Sequence, residues 1–348
     1  FLKNKSKFIF LIGSIFTSFG ILLVTVGGSW DITNHLLSKP ESFFSPPHAL
    51  MYSGVAITLT GVILSFVGWK NLQKFKDFYF LSLKIKLIGI GLLTGAGPLD
   101  FIWHSYFGLD GLLSPPHFTL ITGMFLCSVG GMIGISRYLK FNNSQSISKY
   151  LLILAVIPVW LSASGIISSL SLPFSSTDFF EFNPEPTIAF IIASLAYPFL
   201  ISLSLTLIFR LSHYQFGLLS ILGGLFLLIY SSTAIVPNFA MFDTVQFYSL
   251  NLIPFVISDI FLKINRSKLS RFFVGGLLGS VFYMIYYPYI MYTYNEILLG
   301  KLVSPSLIYF VYFELIQTVL IYTLIPAIIM GILGVIMSGK LSKKILMN

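Results

Sequence analysis

Apolar runs separated by short polar segments fill almost the whole chain. Runs of about 20 residues cross a hydrocarbon core of roughly 30 Å as helices. Such spans are predicted near 8–28, 48–68, 84–104, 117–137, 150–172, 187–209, 215–236, 247–263, 271–293 and 305–337, the last with room for tilt. The expected fold is an all-α integral membrane protein of about ten transmembrane helices in five hairpins. The first run, Phe8 to Gly28, follows Lys3, Lys5 and Lys7 but is long for a signal peptide, so it reads as a retained helix.

The polar segments alternate in charge. Lys3, Lys5, Lys7, Lys70, Lys74, Lys76, Arg137, Lys140, Lys149, Arg210, Lys263, Arg266, Lys268, Arg271, Lys340, Lys343 and Lys344 fall on one side. The other side carries Lys39 and Lys301 and most of the acids, among them Asp31, Glu41, Asp100, Asp110, Asp178, Glu181, Glu185, Asp243 and Glu296. By the positive-inside rule the basic side is cytoplasmic, which predicts a multi-pass protein of the cell membrane with both termini inside. The tyrosines from Tyr283 to Tyr294 read as an interfacial aromatic belt at the outer end of the ninth span.

Composition agrees. Hydrophobic residues make up 56% and charged residues 9%, against roughly 25% charged in a soluble domain. A net charge of +9 would suit nucleic acid, but its basic residues sit in clusters between spans and report topology, so no nucleic-acid partner is expected. The single Cys127 lies in an apolar run and leaves no cysteine-based metal motif.

The chemistry lies in an internal repeat. Trp30-Asp31-Ile32-Thr33-Asn34-His35 through Ser45-Pro46-Pro47-His48 recurs, at an offset of 69 residues, as Leu99-Asp100-Phe101-Ile102-Trp103-His104 through Ser114-Pro115-Pro116-His117. The pattern is D-x3-H-x5-[DE]-x6-H and takes in four of the five histidines. Asp and His four residues apart share one helix face. Ser-Pro-Pro opens a helix, with Ser as N-cap and proline tolerated in the first turn, so His48 and His117 begin the returning helices. Each hairpin then offers two imidazoles and one carboxylate near the outer surface, a donor set for copper, zinc or non-haem iron.

Glu41 and Asp110, in the loops between, are placed to accept from the distal nitrogen of a ligating histidine. A proton or ion path without metal is the competing reading. His213, alone in a turn, reads as solvated; Asp259 reads as a helix-end acid and Glu314 as a helix-pairing one, with the lining of a polar path as the alternative for either. Residues 1–140 are thus expected to form a duplicated metal-binding region of four helices, its two hairpins parallel repeats. Residues 141–348 would supply six further helices.

At these motifs the sequence resembles the C subunit of the copper membrane monooxygenases, the particulate methane and ammonia monooxygenases. The second copy matches best, with Trp103 before His104 and Ser114-Pro115-Pro116-His117 after it; the first has Asn34 in place of the tryptophan. The resemblance implies copper at Asp100, His104 and His117, with Trp103 packed beside it, and an equivalent set at Asp31, His35 and His48. It further implies an oxygen-activating monooxygenase acting on a small substrate that arrives through lipid, with other membrane subunits or an electron donor as partners. The alternative is a membrane protein that acquires, delivers or transports copper or zinc. The nine methionines are scattered and form no relay for such transport.

Overall fold

A computed structural model describes residues 2–36, 44–72, 75–108, 113–140, 145–171, 184–237, 239, 242, 245–282 and 308–347. The helices, in chain order, are α1 (Leu2–Leu36), α2 (Pro46–Lys70), α3 (Lys76–Phe107), α4 (Pro115–Leu139), α5 (Gln145–Ser171) and α6 (Pro186–Leu211). They continue as α7 (Leu218–Ile235), α8 (Val245–Leu250), α9 (Leu252–Ile264), α10 (Lys268–Leu277) with a π-helical turn Leu278–Phe282, and α11 (Ile308–Met347). There is no strand among the described residues.

Among the described residues eight helices are long and apolar enough to cross a membrane: α1 to α7, and α11 from Tyr322. The eighth expected span divides at Asn251 into α8 and α9, because Pro254 in the first turn of α9 lacks an N–H and its ring would clash with a continuing helix. Neither piece alone has the length of a span; α9 reaches only about 20 Å. The ninth expected span begins as α10 and its π turn, and its remainder, with the tyrosines from Tyr283 to Tyr294, lies outside the described residues.

Helices α1 and α2 approach until their backbones touch. A Cβ on Gly61 would lie 2.5 Å from Thr17 N, and one on Gly20 would lie 2.6 Å from Gly54 O. Small residues at helix interfaces allow this approach where apolar lipid supplies no hydrophobic drive. Glycines also face each other in the next hairpin, where a Cβ on Gly123 would lie 2.9 Å from Gly89 O. The largest apolar core of the described residues joins α1 and α4 to the later helices and includes Trp160 of α5, stacked on Phe226 of α7 with centroids 4.0 Å apart.

Buried charges tie the remaining helices together. Asp259 of α9 is 2% exposed. Its carboxylate accepts from the N–H groups of Gly217, Leu219 and Ser220 and from the Ser220 hydroxyl. It thereby caps α7, whose own N-cap residue, Gly217, has no side chain to do so. Arg137, one of the basic residues read as cytoplasmic-side, is buried: it donates to Phe78 O and Ile345 O, and Lys140 donates to Leu346 O. These cations satisfy carbonyls in the last turn of α11, where the helix dipole favours positive charge. His213 is exposed in the turn after α6, as expected. Glu314 lies on α11, and its side chain is outside the described residues.

Candidate metal centre

Two helix starts with the same local conformation carry His48 and His117. Ser45 has φ −56° and ψ 151°, Ser114 has φ −58° and ψ 150°, and each precedes two prolines in a first turn. Neither serine hydroxyl makes the expected capping bond. A serine cap bonds the second or third helical N–H, and the second position here is Pro47 or Pro116, which has none. The serine carbonyls start the ladders instead, accepting from Ala49 N and Phe118 N at 2.9 Å. Both histidines are therefore third residues of their helices and lie beside the C-terminal turns of α1 and α3.

Three donor atoms converge in the second hairpin. Asp100 Oδ1 lies 3.5 Å from His104 Nε2 and 3.1 Å from His117 Nε2. The two imidazole Nε2 atoms are 3.3 Å apart. Metal–ligand bonds of about 2.05 Å in a tetrahedron put neighbouring donors ~3.3 Å apart, the middle of this range. Two imidazoles disfavour calcium and magnesium, which take oxygen ligands. The three residues are the candidate metal-binding cluster of the chain among its described residues. Each histidine side chain keeps 23% of its surface exposed, and Asp100 25%, so the point is reachable.

The tautomer of His104 follows from its other nitrogen. Nδ1 lies 2.8 Å from Gly108 O, a carbonyl that can only accept, so Nδ1 carries the proton and Nε2 turns its lone pair toward Asp100 and His117. Gly108 reaches this place with φ +73° and ψ −162°, an extended positive-φ conformation that glycine adopts without a steric cost, at the end of α3, while its N–H donates to His104 O at 3.0 Å. For His104 the partner at the distal nitrogen is thus this carbonyl rather than an acidic side chain. Asp110 and Glu41 both lie outside the described residues.

In the first hairpin Asp31 Oδ1 and His48 Nε2 are 3.0 Å apart, the same atoms at nearly the same separation as Asp100 and His117. His35 is on α1, one turn beyond Asp31; its side chain is outside the described residues. Thr33 Oγ1 donates to Thr233 O of α7 at 3.1 Å, which fixes a later helix against this end of α1. Trp103 packs on Phe107, one turn along α3, with centroids 4.6 Å apart.

Tyr52, one turn past His48 and 6.0 Å from its ring, is within electrostatic reach of both Asp31 and Asp100. Sequence reasoning passed over Gly108 and Tyr52, although each stands four residues from a motif histidine, on the same helical face or at the helix end.

No protein-family model, curated protein or solved structure matches the chain. Fold and site together define a multi-pass helical membrane protein with a candidate Asp-His-His metal centre.

Proposed function

We propose that the chain binds a transition metal at Asp100, His104 and His117 and a second at Asp31, His35 and His48, and that copper is the metal, with zinc or iron as alternatives. The observation that carries this reading is the convergence of three acceptor atoms at 3.1 to 3.5 Å. Three such lone pairs repel one another unless a cation sits between them. A single proton on His117 Nε2 can relieve its contacts with Asp100 and His104 but not the remaining one, between Asp100 Oδ1 and His104 Nε2.

With three protein donors a coordination position stays open, as chemistry at a metal requires. Together with the resemblance of the motif, this favours an oxygen-activating role like that of the copper membrane monooxygenase C subunit. A bound copper would supply one-electron exchange with oxygen. The chain's own part is to hold the ligands, with Gly108 O fixing the ring of His104. Partner subunits or an electron donor would complete such an enzyme.

The partial exposure of all three ligands supports a second reading, capture of copper or zinc at the membrane surface for delivery. In both readings residues 1–140 form two parallel repeats related by an axis along the membrane normal, within a ten-helix chain whose termini are cytoplasmic and whose metal points face outward. The matched Asp–His contacts and the charge pattern support this arrangement.

The test is metal content of protein purified in detergent without chelators, beside His104→Ala and His35→Ala. Two coppers per chain, each variant losing one, are expected. Protein that takes up neither copper nor zinc on reloading would overturn both readings, and retained metal without oxygen-dependent turnover in the presence of an electron donor would favour delivery.

A further inference from the structure

Arg210 and Arg271 come together where α6 and α10 pack on the later part of α11. Helix α6 meets α11 through Ser202, whose hydroxyl donates to Gly331 O at 2.6 Å, and through Thr206, whose Oγ1 lies 2.9 Å from Ser338 Oγ. One turn further, Arg210 reaches the same helix: Nε donates to Ser338 Oγ at 3.1 Å and Nη2 to Val335 O at 3.4 Å. Its guanidinium lies against Gly339, where a Cβ would fall 3.1 Å from Nη1 and 3.2 Å from Cζ. Among the described residues Nη1 itself makes no hydrogen bond.

Helix α10 packs on the same stretch of α11. A Cβ on Gly275 would lie 2.8 Å from Gly331 O and 2.6 Å from Val335 Cγ2, and one on Gly279, in the π turn, would lie 3.0 Å from Gly331 Cα. The contact runs backward along α11 as it runs forward along α10. One turn before Gly275 is therefore level with one turn beyond Val335, which places Arg271 beside Ser338 and Gly339 and within electrostatic reach of Arg210. Both arginines are partly exposed, and Arg271 Nη1 donates to Arg266 O at 3.0 Å.

Two guanidiniums this close repel each other, and partial burial strengthens the effect. Among the described residues no carboxylate balances them. Asp259 of α9 is taken up by the start of α7, Glu185 caps the opposite end of α6, and Glu314 lies toward the opposite end of α11. Exposed Lys268 and Lys340 add the same sign at this end. An anion between the guanidiniums removes the repulsion, and the planar fork of arginine matches the oxygens of a phosphate. The rim selects the form of that anion. Phe273, two residues from Arg271, and Ile336 and Met337, next to Ser338, are apolar and exposed. A free phosphate gains nothing from such a rim, whereas a phospholipid lays its acyl chains along it.

We propose that Arg210 and Arg271 clasp the phosphate of an anionic phospholipid at the junction of α6, α10 and α11. Basic sites between membrane helices are suited to such headgroups. A zwitterionic choline headgroup would bring a further cation to an end that already carries Lys268 and Lys340, so a net negative headgroup is preferred. The bound phosphate holds α6 and α10 together against α11. None of these residues belongs to the metal motifs, and the site does not depend on a metal.

Native mass spectrometry of the full chain, stripped of lipid in detergent, tests this with phosphatidylglycerol and phosphatidylcholine of identical acyl chains. The first phosphatidylglycerol is expected to bind several-fold more tightly than the first phosphatidylcholine, and excess inorganic phosphate is expected to leave it in place. Arg271→Gln keeps both Arg210 bonds to α11 and should bind the two lipids alike, as should Arg210→Gln. Lys343→Gln combined with Lys344→Gln removes two exposed charges from the same end of α11 and should keep the preference. Equal binding of both lipids by the parent protein would overturn the site, and so would an undiminished preference in Arg271→Gln. Loss of the preference in the lysine variant would replace the arginine pair by diffuse surface charge. Displacement of the lipid by inorganic phosphate would mean a site for free anions and would likewise overturn the proposal.

Discussion

His117 Nε2 lies 3.1 Å from Asp100 Oδ1, joining the first turn of α4 to the last turns of α3. The contact depends on two prolines that begin α4 directly after the loop, which leaves His117 in the first turn, facing back across the hairpin. His48 and Asp31 repeat it at 3.0 Å. Each pair brings together residues 17 positions apart in the sequence.

Asp100→Ala, His104→Ala and His117→Ala should each abolish stoichiometric metal at the second hairpin while leaving that of the first. Removing one of three ligands takes away a bond the other two cannot replace. Metal content per chain by elemental analysis is the measurement; full occupancy in any of the three would remove that residue from the ligand set.

Gly108→Ala should weaken metal binding at the same site by about 10- to 100-fold, the usual scale for losing a group that orients a ligand. Its φ of +73° is strained for any residue with a Cβ, by roughly 1 kcal/mol, and a shifted carbonyl frees the ring of His104. Competition with a calibrated chelator reads the affinity. Unchanged affinity would mean that His104 holds its orientation without this carbonyl.

Metal occupancy should fall as pH is lowered, because a proton and the metal compete for Nε2. The sign follows from the ligand form: neutral imidazole binds and imidazolium does not. Full occupancy at pH of about 4 at equilibrium would contradict histidine ligation.

Asp259→Ala should lower stability by about 1–3 kcal/mol, since it leaves three backbone N–H groups and a hydroxyl at the start of α7 without their acceptor. Asp259→Asn should lose less, keeping one acceptor oxygen but not the charge that favours a helix N-terminus. Thermal unfolding in detergent compares the two, and equal Tm for all three proteins would exclude the capping role.

Gly61→Ala and Gly91→Ala should have opposite effects. At Gly61 the new methyl would meet Thr17 N at 2.5 Å and force α1 and α2 apart, costing about 1–3 kcal/mol. At Gly91 nothing lies within 4 Å, so the helix propensity of alanine should raise stability by up to about 1 kcal/mol. The same melting experiment distinguishes them.

The sequence alone determined the features that depend on neighbours along the chain. Apolar runs of spanning length predicted α1 to α7 and α11, the spacing of four put Asp and His on one helix face, and Ser-Pro-Pro fixed where α2 and α4 begin. It did not determine that the run around 247–263 divides at Asn251, where one proline outweighs a continuous apolar pattern. Tertiary structure decided what depends on groups distant in sequence: that Gly108 supplies the carbonyl for His104, that Asp259 caps α7 across 39 to 42 positions, and that Arg137 serves the end of α11. Lys86 is the plainest case. Within its own run it is a lone cation among apolar residues, and only the packing of α1 and α2 against α3 supplies Ser14 and Ser65 as its acceptors. Local periodicity records which face of a helix is buried, whereas the partner on the other side of that face is set by how whole helices pack.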